Sequence, residues 1–280
     1  MPRRPRVGLK QRHLRKIARV RHASAVRGCI PSESSKSFRS REPCRLLGRT
    51  GRYGLRRVTH YYEAVYASGW AKAALPNRLR RYHKQRYTLF SKFDKGIKLD
   101  QEMWYSVTPE PIAKEQARKV KAQLQNEQGG AVLVDSFCGA GGNTIQLAKV
   151  GGFVVSSDLH RKRVKTVRRH CQIYGVETAR VDFLQADARQ LHRLFRPQAM
   201  DAIFLSPPWA NEGIIPAELQ FTMRRLGQNL DATQLVLDAL RVAPQAAIFL
   251  PRVTAIEEVR SLAALAKCNV VIQEMWYSVT

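Results

Sequence analysis

Ser206-Pro207-Pro208-Trp209 directly follows the apolar run Ala202–Leu205. Consecutive prolines fix the backbone and leave their own carbonyls without local N–H partners. Such carbonyls can accept hydrogen bonds from an exocyclic amine and hold its lone pair toward a methyl donor. Positioning of this kind lowers a barrier by about 7–11 kcal/mol in favourable systems. The adjacent indole can stack on a base. The same four residues also suit a rigid turn with a core tryptophan.

Three acidic residues fall at the ends of successive apolar runs. Asp135 opens Asp135-Ser136-Phe137-Cys138-Gly139-Ala140-Gly141-Gly142-Asn143-Thr144, a turn of G-x-G-G type and not the G-x-G-x-x-G of dinucleotide folds. Glycines allow close backbone approach to a ligand, and a helix N-terminus offers free N–H groups. A carboxylate beside them can face a cationic group, such as the ammonium of S-adenosylmethionine. Asp158 is placed to accept ribose hydroxyls. Asp187 is a candidate partner for an adenine amine. A ligand-free turn and exposed loop carboxylates are the plain alternatives, but the joint spacing is what a nucleotide-like ligand requires.

These residues need strands to carry them. The predicted strands are Ala131–Asp135, Phe153–Ser157, Val181–Gln185, Ala202–Leu205, Ala246–Leu250 and Asn269–Gln273. Between them, Val164, Val167, Cys171 and Tyr174 recur at helical spacing, as do Ile256, Val259 and Leu262. Strand–helix alternation implies a doubly wound, mostly parallel sheet that binds ligands at the carboxyl ends of its strands. Upstream, residues 58–128 read as a small helical module. Its expected helices are Tyr61–Ala74, Leu79–Phe90 and one opened by Thr108 as cap, with Ala113, Ala117, Val120 and Leu124 on one face. Asp94-Lys95-Gly96 reads as a turn, and Gln128-Gly129-Gly130 as the helix end. Residues 129–280 form the α/β domain, and residues 1–57 read as a disordered basic tail.

The chain carries 48 Lys plus Arg against 22 Asp plus Glu, a net charge of +26. Residues 1–60 hold 18 basic and 2 acidic residues, so +16 of the total sits there. Nucleic acid is the usual partner of such a surface. The basic run to Arg21 suits a nuclear or nucleolar signal or an RNA-binding tail, and a mitochondrial presequence is the rival reading. Five scattered cysteines without a C-x-x-C pair argue against structural zinc, and no metal is expected. No apolar run reaches the ~20 residues of a membrane span.

The chain resembles the trimethylguanosine synthases, in their small form. The resemblance is carried by Asp135–Thr144, Phe204–Trp209, Phe249-Leu250-Pro251-Arg252, Arg86–Asp100 and Trp104–Glu110, and covers roughly residues 80–270. It implies a Rossmann-like class I methyltransferase fold and S-adenosyl-L-methionine as cofactor. It further implies methylation of the exocyclic N2 of a 7-methylguanosine cap, giving the 2,2,7-trimethyl form on small nuclear and nucleolar RNAs. Carried over residue by residue, Asp135, Phe137, Gly139, Gly141, Asn143, Thr144, Asp158 and Asp187 hold the donor, joined by Thr108. Phe90 and Asp94 belong to a segment that closes over donor and substrate. Ser206, Pro207 and Pro208 hold the amine. Trp209 stacks on the cationic base, with a cation–π contribution of ~0.5–2 kcal/mol. Arg81 and Arg252 face the cap phosphates. No histidine is assigned as general base. The implied partners are capped small RNA and ribonucleoprotein proteins, with no membrane; the expected state is a monomer in the nucleus or nucleolus.

The sequence departs from the family in places. Ala210-Asn211-Glu212-Gly213-Ile214 stands where Gly-Gly-Pro and a Tyr are usual, and Val253 follows Arg252 in place of Asn. A seventh strand is missing. Gln101–Thr108 recurs identically as Gln273–Thr280, and the second copy is expected to be an abnormal terminus. These departures keep two other readings open: N2 methylation of an internal tRNA or rRNA guanine, and a non-catalytic cap-binding protein.

Overall fold

The structure is a computed structural model that describes residues 77–124, 130–209, 222–224, 226–227 and 230–275. The basic tail, the helix expected over Tyr61–Ala74, Gln128-Gly129 and the Ala210–Ile214 departure lie outside the described residues, as does most of the second octapeptide copy.

Five strands form one parallel sheet in the order β3-β2-β1-β4-β5. They are β1 (Val132–Asp135), β2 (Phe153–Asp158), β3 (Val181–Gln185), β4 (Ala202–Leu205) and β5 (Ala246–Ile248). Every pairing is parallel, and β1 sits between β2 and β4. The order reverses at β1 and β4, so a crevice opens beyond their carboxyl ends. Burial on both faces explains why the central strands read as continuous apolar runs. Val132, Val134, Ile203 and Leu205 point to one layer, and Leu133, Ala202 and Phe204 to the other.

The first layer comprises α4 (Glu110–Gln123), α5 (Gly142–Lys149) and α6 (Arg161–Ile173), with the N-terminal module packed into the same core. That module holds α1 (Asn77–Lys84), α2 (Arg86–Leu89) and α3 (Met103–Ser106). The expected single helix Leu79–Phe90 is thus split at Gln85. A 3-10 turn over Phe93–Lys95 ends at Gly96 (φ 106°), as the Asp-Lys-Gly signal predicts. The second layer is built on α7 (Leu191–Leu194) and α8 (Ala232–Val242), with Leu262 of α9 (Ile256–Ala266) joining its core. Asp231 caps α8 by accepting from the Thr233 and Gln234 N–H groups, worth about 1 kcal/mol.

Two expectations are corrected. Thr108 does not cap α4: Pro109 occupies that position, and no side chain caps the helix. Asn269–Gln273 is not a strand. Lys267 leaves α9 in a left-handed conformation (φ 52°), and Val270, Val271 and Ile272 run out exposed at 43, 70 and 42%. β-branched residues fit a strand only where a neighbour supplies a ladder, and among the described residues none pairs there.

Candidate functional site

At the switch point Ser136 donates its N–H and its hydroxyl to the Phe204 carbonyl, at 3.1 and 2.9 Å. The end of β1 is thereby fastened to the end of β4, one residue from the Ser206–Trp209 loop. Asp135 lies between them, 1% exposed. Its Oδ2 accepts the Thr144 hydroxyl at 2.6 Å, and Thr144 also meets the Ser156 hydroxyl. Its Oδ1 is buried and has no partner among the described residues. Burial pushes the carboxyl up to about 6; the Thr144 hydroxyl and the nearby Phe137 and Thr144 N–H groups oppose the rise, and the charge of Asp158 adds to it. A buried carboxylate oxygen without a donor costs free energy that a cationic ligand group would recover.

The glycine turn is held from below. Cys138 N–H donates to Ser157 O, and Gly139 N–H to Asp158 Oδ2 at 3.1 Å. Asp158 Oδ1 accepts the His160 N–H at 2.8 Å, leaving further lone pairs on an acceptor-only group. Gly139 and Gly141 have φ of 48° and 84°, and a Cβ at Gly141 would overlap the Val167 side chain. Asn143 turns away from the turn and donates to Gln116 Oε1 of α4 at 2.6 Å. Phe137 is half-buried against the second core layer. Burial pushes the Cys171 thiol up to about 12 and the Cys138 thiol well above its usual range, so both are packing groups.

On the neighbouring strand end, Pro207 is buried and Ser206, Pro208 and Trp209 are half-buried. The Trp209 indole N–H donates to Phe249 O at 3.0 Å, and its ring meets Phe249 edge-on at 5.0 Å between centroids. One edge of the indole is therefore fixed. The Pro208 carbonyl accepts the Gly227 N–H at 2.9 Å, which corrects the expectation that both proline carbonyls stand free. Ser206 and Pro207 keep carbonyls without a partner among the described residues.

The other expected residues have contacts of their own. Phe90 is 1% exposed and packs edge-on against His170 and Tyr174, inside the core. Asp94 is on an exposed turn and accepts the Tyr87 hydroxyl at 2.6 Å. Thr108 is buried with its carbonyl against Gly142. Asp187 spends both carboxylate oxygens on Arg189, whose guanidinium holds the carboxyl below its usual range. Arg81 is exposed and stacks on Tyr82 of its own helix; Arg252 is exposed beyond β5. The concavity lined by Pro111, Ile112, Glu115, Lys119 and Gln273–Met275 shares no residue with the site.

Sequence reasoning missed the groups that dock the N-terminal module. Glu110, 5% exposed, accepts the Ser91 N–H and the Tyr174 hydroxyl, each at 2.7 Å, and pairs with Lys114. Arg163 reaches Asp100 at 3.3 Å and Glu102 at 2.5 Å. His170 is fully buried, meeting Ala140 O through Nδ1 and accepting the Lys98 N–H at Nε2. Burial lowers His170 to about 4, so it stays neutral with both ring nitrogens engaged. Glu110–Tyr174, Arg163–Asp100, Arg163–Glu102 and His170–Lys98 join residues 61–72 apart, beyond any spacing rule.

The crevice therefore sets the buried Asp135 carboxyl beside the Ser206–Trp209 loop, and the chain is similar to several proteins. A family model for RNA cap guanine-N2 methyltransferases matches residues 130–275. The trimethylguanosine synthase of Schizosaccharomyces pombe is 35% identical over 195 residues, covering 68% of this chain and 78% of that one. The trimethylguanosine synthase of Saccharomyces cerevisiae is 32% identical over 207 residues, covering 69% and 62%. A tRNA (guanine(10)-N2)-dimethyltransferase of Methanothermobacter thermautotrophicus is 35% identical over 86 residues, covering 31% and 24%. With 35% identity over about two thirds of its length and a family model matching residues 130–275, this chain belongs to the RNA cap guanine-N2 methyltransferase family.

Proposed function

We propose that this protein methylates N2 of the guanine in a 7-methylguanosine RNA cap, yielding the 2,2,7-trimethyl form. The observation that carries the reading is the Ser136–Phe204 tie, which fastens the strand end bearing Asp135 to the strand that leads into Ser206 and Pro207, whose carbonyls have no partner among the described residues. S-adenosylmethionine, when bound, supplies an electrophilic methyl group. The unpartnered Asp135 Oδ1 suits its ammonium, and Asp158 suits its ribose hydroxyls. The Ser206 and Pro207 carbonyls accept the N–H groups of N2 and aim its lone pair across the crevice. Nitrogen–carbon bond formation accompanies carbon–sulfur cleavage, and the surplus N2 proton leaves to water. Trp209 stacks on the base, and a 7-methylated, cationic guanine gains from its ring face.

We further propose action by a monomer in the nucleus or nucleolus, on capped small RNAs and their ribonucleoprotein particles; the net +16 of residues 1–60 supports the nucleic-acid partner. Labelled donor is incubated with 7-methylguanosine cap dinucleotide and with the unmethylated dinucleotide. Transfer to the first and little to the second is expected; transfer to neither would sink the proposal. The local match to a tRNA guanine-N2 enzyme favours one rival. An uncapped tRNA transcript that accepts label better than the cap would establish it.

A further inference from the structure

We infer that the outer face of α6, with the lysines beside its end, is a docking surface for the phosphate backbone of the RNA that follows the cap. This rests on the cap-methylation reading. α6 has the sequence Arg-Lys-Arg-Val-Lys-Thr-Val-Arg-Arg-His-Cys-Gln-Ile and contains no acidic residue. Val164, Val167, His170 and Cys171 face the core. Arg163 is neutralised by Asp100 and Glu102. That leaves Arg161, Lys162, Lys165, Arg168 and Arg169 exposed on the opposite face.

The stripe continues past the helix. The Arg169 guanidinium lies against Gly96, so the exposed Lys95 and half-buried Lys98 adjoin it. Lys92 Nζ reaches the Ile173 carbonyl at 3.4 Å, and both Lys92 and Lys149 stand over the Tyr174 ring. Burial lowers Lys149, with the charge of Glu110 opposing the shift and those of Lys92 and Lys114 adding to it.

Three features select RNA. At 1.5 Å per residue, Arg161 to Arg169 spans ~12 Å, about three phosphates of a helical strand. Arg161, Arg168 and Arg169 offer planar forks that match phosphate oxygens. The surface also begins three residues after Asp158, at the carboxyl end of β2 beside the candidate donor pocket. A membrane surface fits poorly, because an interfacial helix must bury its apolar face in lipid and that face of α6 is spent on the core.

The test uses the full chain and the triple variant Arg161→Gln, Lys162→Gln, Lys165→Gln, with Arg161→Lys, Lys162→Arg, Lys165→Arg as charge-retaining control. Transfer is measured to the cap dinucleotide and to a capped 30-nucleotide RNA, and anisotropy reads binding of the same RNA uncapped. The Gln variant should treat the dinucleotide as wild type does. Its kcat/KM for the capped RNA should fall about tenfold, and the salt slope of RNA binding should flatten by about 2; the control should restore both. Equal loss on dinucleotide and RNA, or unchanged RNA binding, would overturn the proposal. So would lost binding to phosphatidylserine vesicles with RNA binding intact. If wild type transfers to no cap, the cap reading fails, while the anisotropy arm still judges the surface.

Discussion

Ser136 spends both of its donors on one acceptor, the carbonyl oxygen of Phe204, at 3.1 and 2.9 Å. A bifurcated tie between the ends of adjacent strands fixes the width of the crevice between the donor turn and the amine-accepting loop. Ser136→Ala removes the shorter bond only. We expect a stability loss of about 1 kcal/mol and a larger fall in kcat than in donor affinity. Urea denaturation and steady-state kinetics check both; an equal fall in the two would contradict a spacing role.

Asp135 gives the site a pH dependence of predictable sign. Its carboxyl rises from an ordinary 3.8 to about 6 on folding. The folded state therefore holds the proton more tightly, and stability falls as pH rises from about 4 to 6. A ligand ammonium needs the ionised form, so donor affinity should run the other way, climbing up to tenfold per pH unit below 6 and levelling above it. Calorimetric titration with S-adenosylmethionine from pH 5 to 8 measures this. Asp135→Asn should bind weakly and lose the slope.

Glu110 titrates in the opposite sense. Burial raises it, but hydrogen bonds from Lys114, the Ser91 N–H and the Tyr174 hydroxyl prevail and hold it at about 2. Its contribution is present above 4.5 and is lost as pH falls toward 2. Glu110→Gln should cost about 1–3 kcal/mol at neutral pH and less in acid. Chemical denaturation at pH 7 and pH 3 provides the comparison.

Gly141 has a left-handed backbone, and its missing Cβ is where Val167 of α6 packs. Gly141→Ala should destabilise by about 2 kcal/mol or more through strain and overlap together. The double variant with Val167→Ala should recover only the overlap, measured as a thermal midpoint between those of the single variant and wild type.

Trp209→Phe keeps a stacking ring but loses the hydrogen bond to Phe249 O. We expect it to retain transfer at a several-fold higher KM for the cap, whereas Trp209→Ala should abolish transfer with donor binding intact. Normal transfer by the Ala variant would remove Trp209 from the site.

How much of this could be read from the sequence depended on range. β3 and β4 have their expected limits, and Asp135 and Asp158 stand at strand ends as their positions after apolar runs imply. α8 was passed over, although Asp231 and the helical spacing of Leu235, Val236, Ala239 and Val242 carry its signal. Asn269–Gln273 misled because residue preference is local while a strand needs a ladder. Phe90 shows a different gap: an aromatic beside a site and one inside a core look alike until their neighbours are known. The docking of the N-terminal module through Glu110–Tyr174, Arg163–Asp100, Arg163–Glu102 and His170–Lys98 is hidden because those contacts join residues 61–72 apart.

β5 is joined to β4 on one side, and no strand among the described residues covers its other edge. Bare N–H and C=O groups in a row are a template for another extended chain. What opposes self-templating here is electrostatic: two molecules of net charge +26 repel at low ionic strength. That protection is conditional. As salt shortens the screening length from ~30 Å at 0.01 M to ~3 Å at 1 M, the repulsion fades before the edge-to-edge hydrogen bonds do. The colloidal behaviour of this protein is thus set against its affinity for polyanions, since the salt that releases nucleic acid also brings the open edges of two copies within reach.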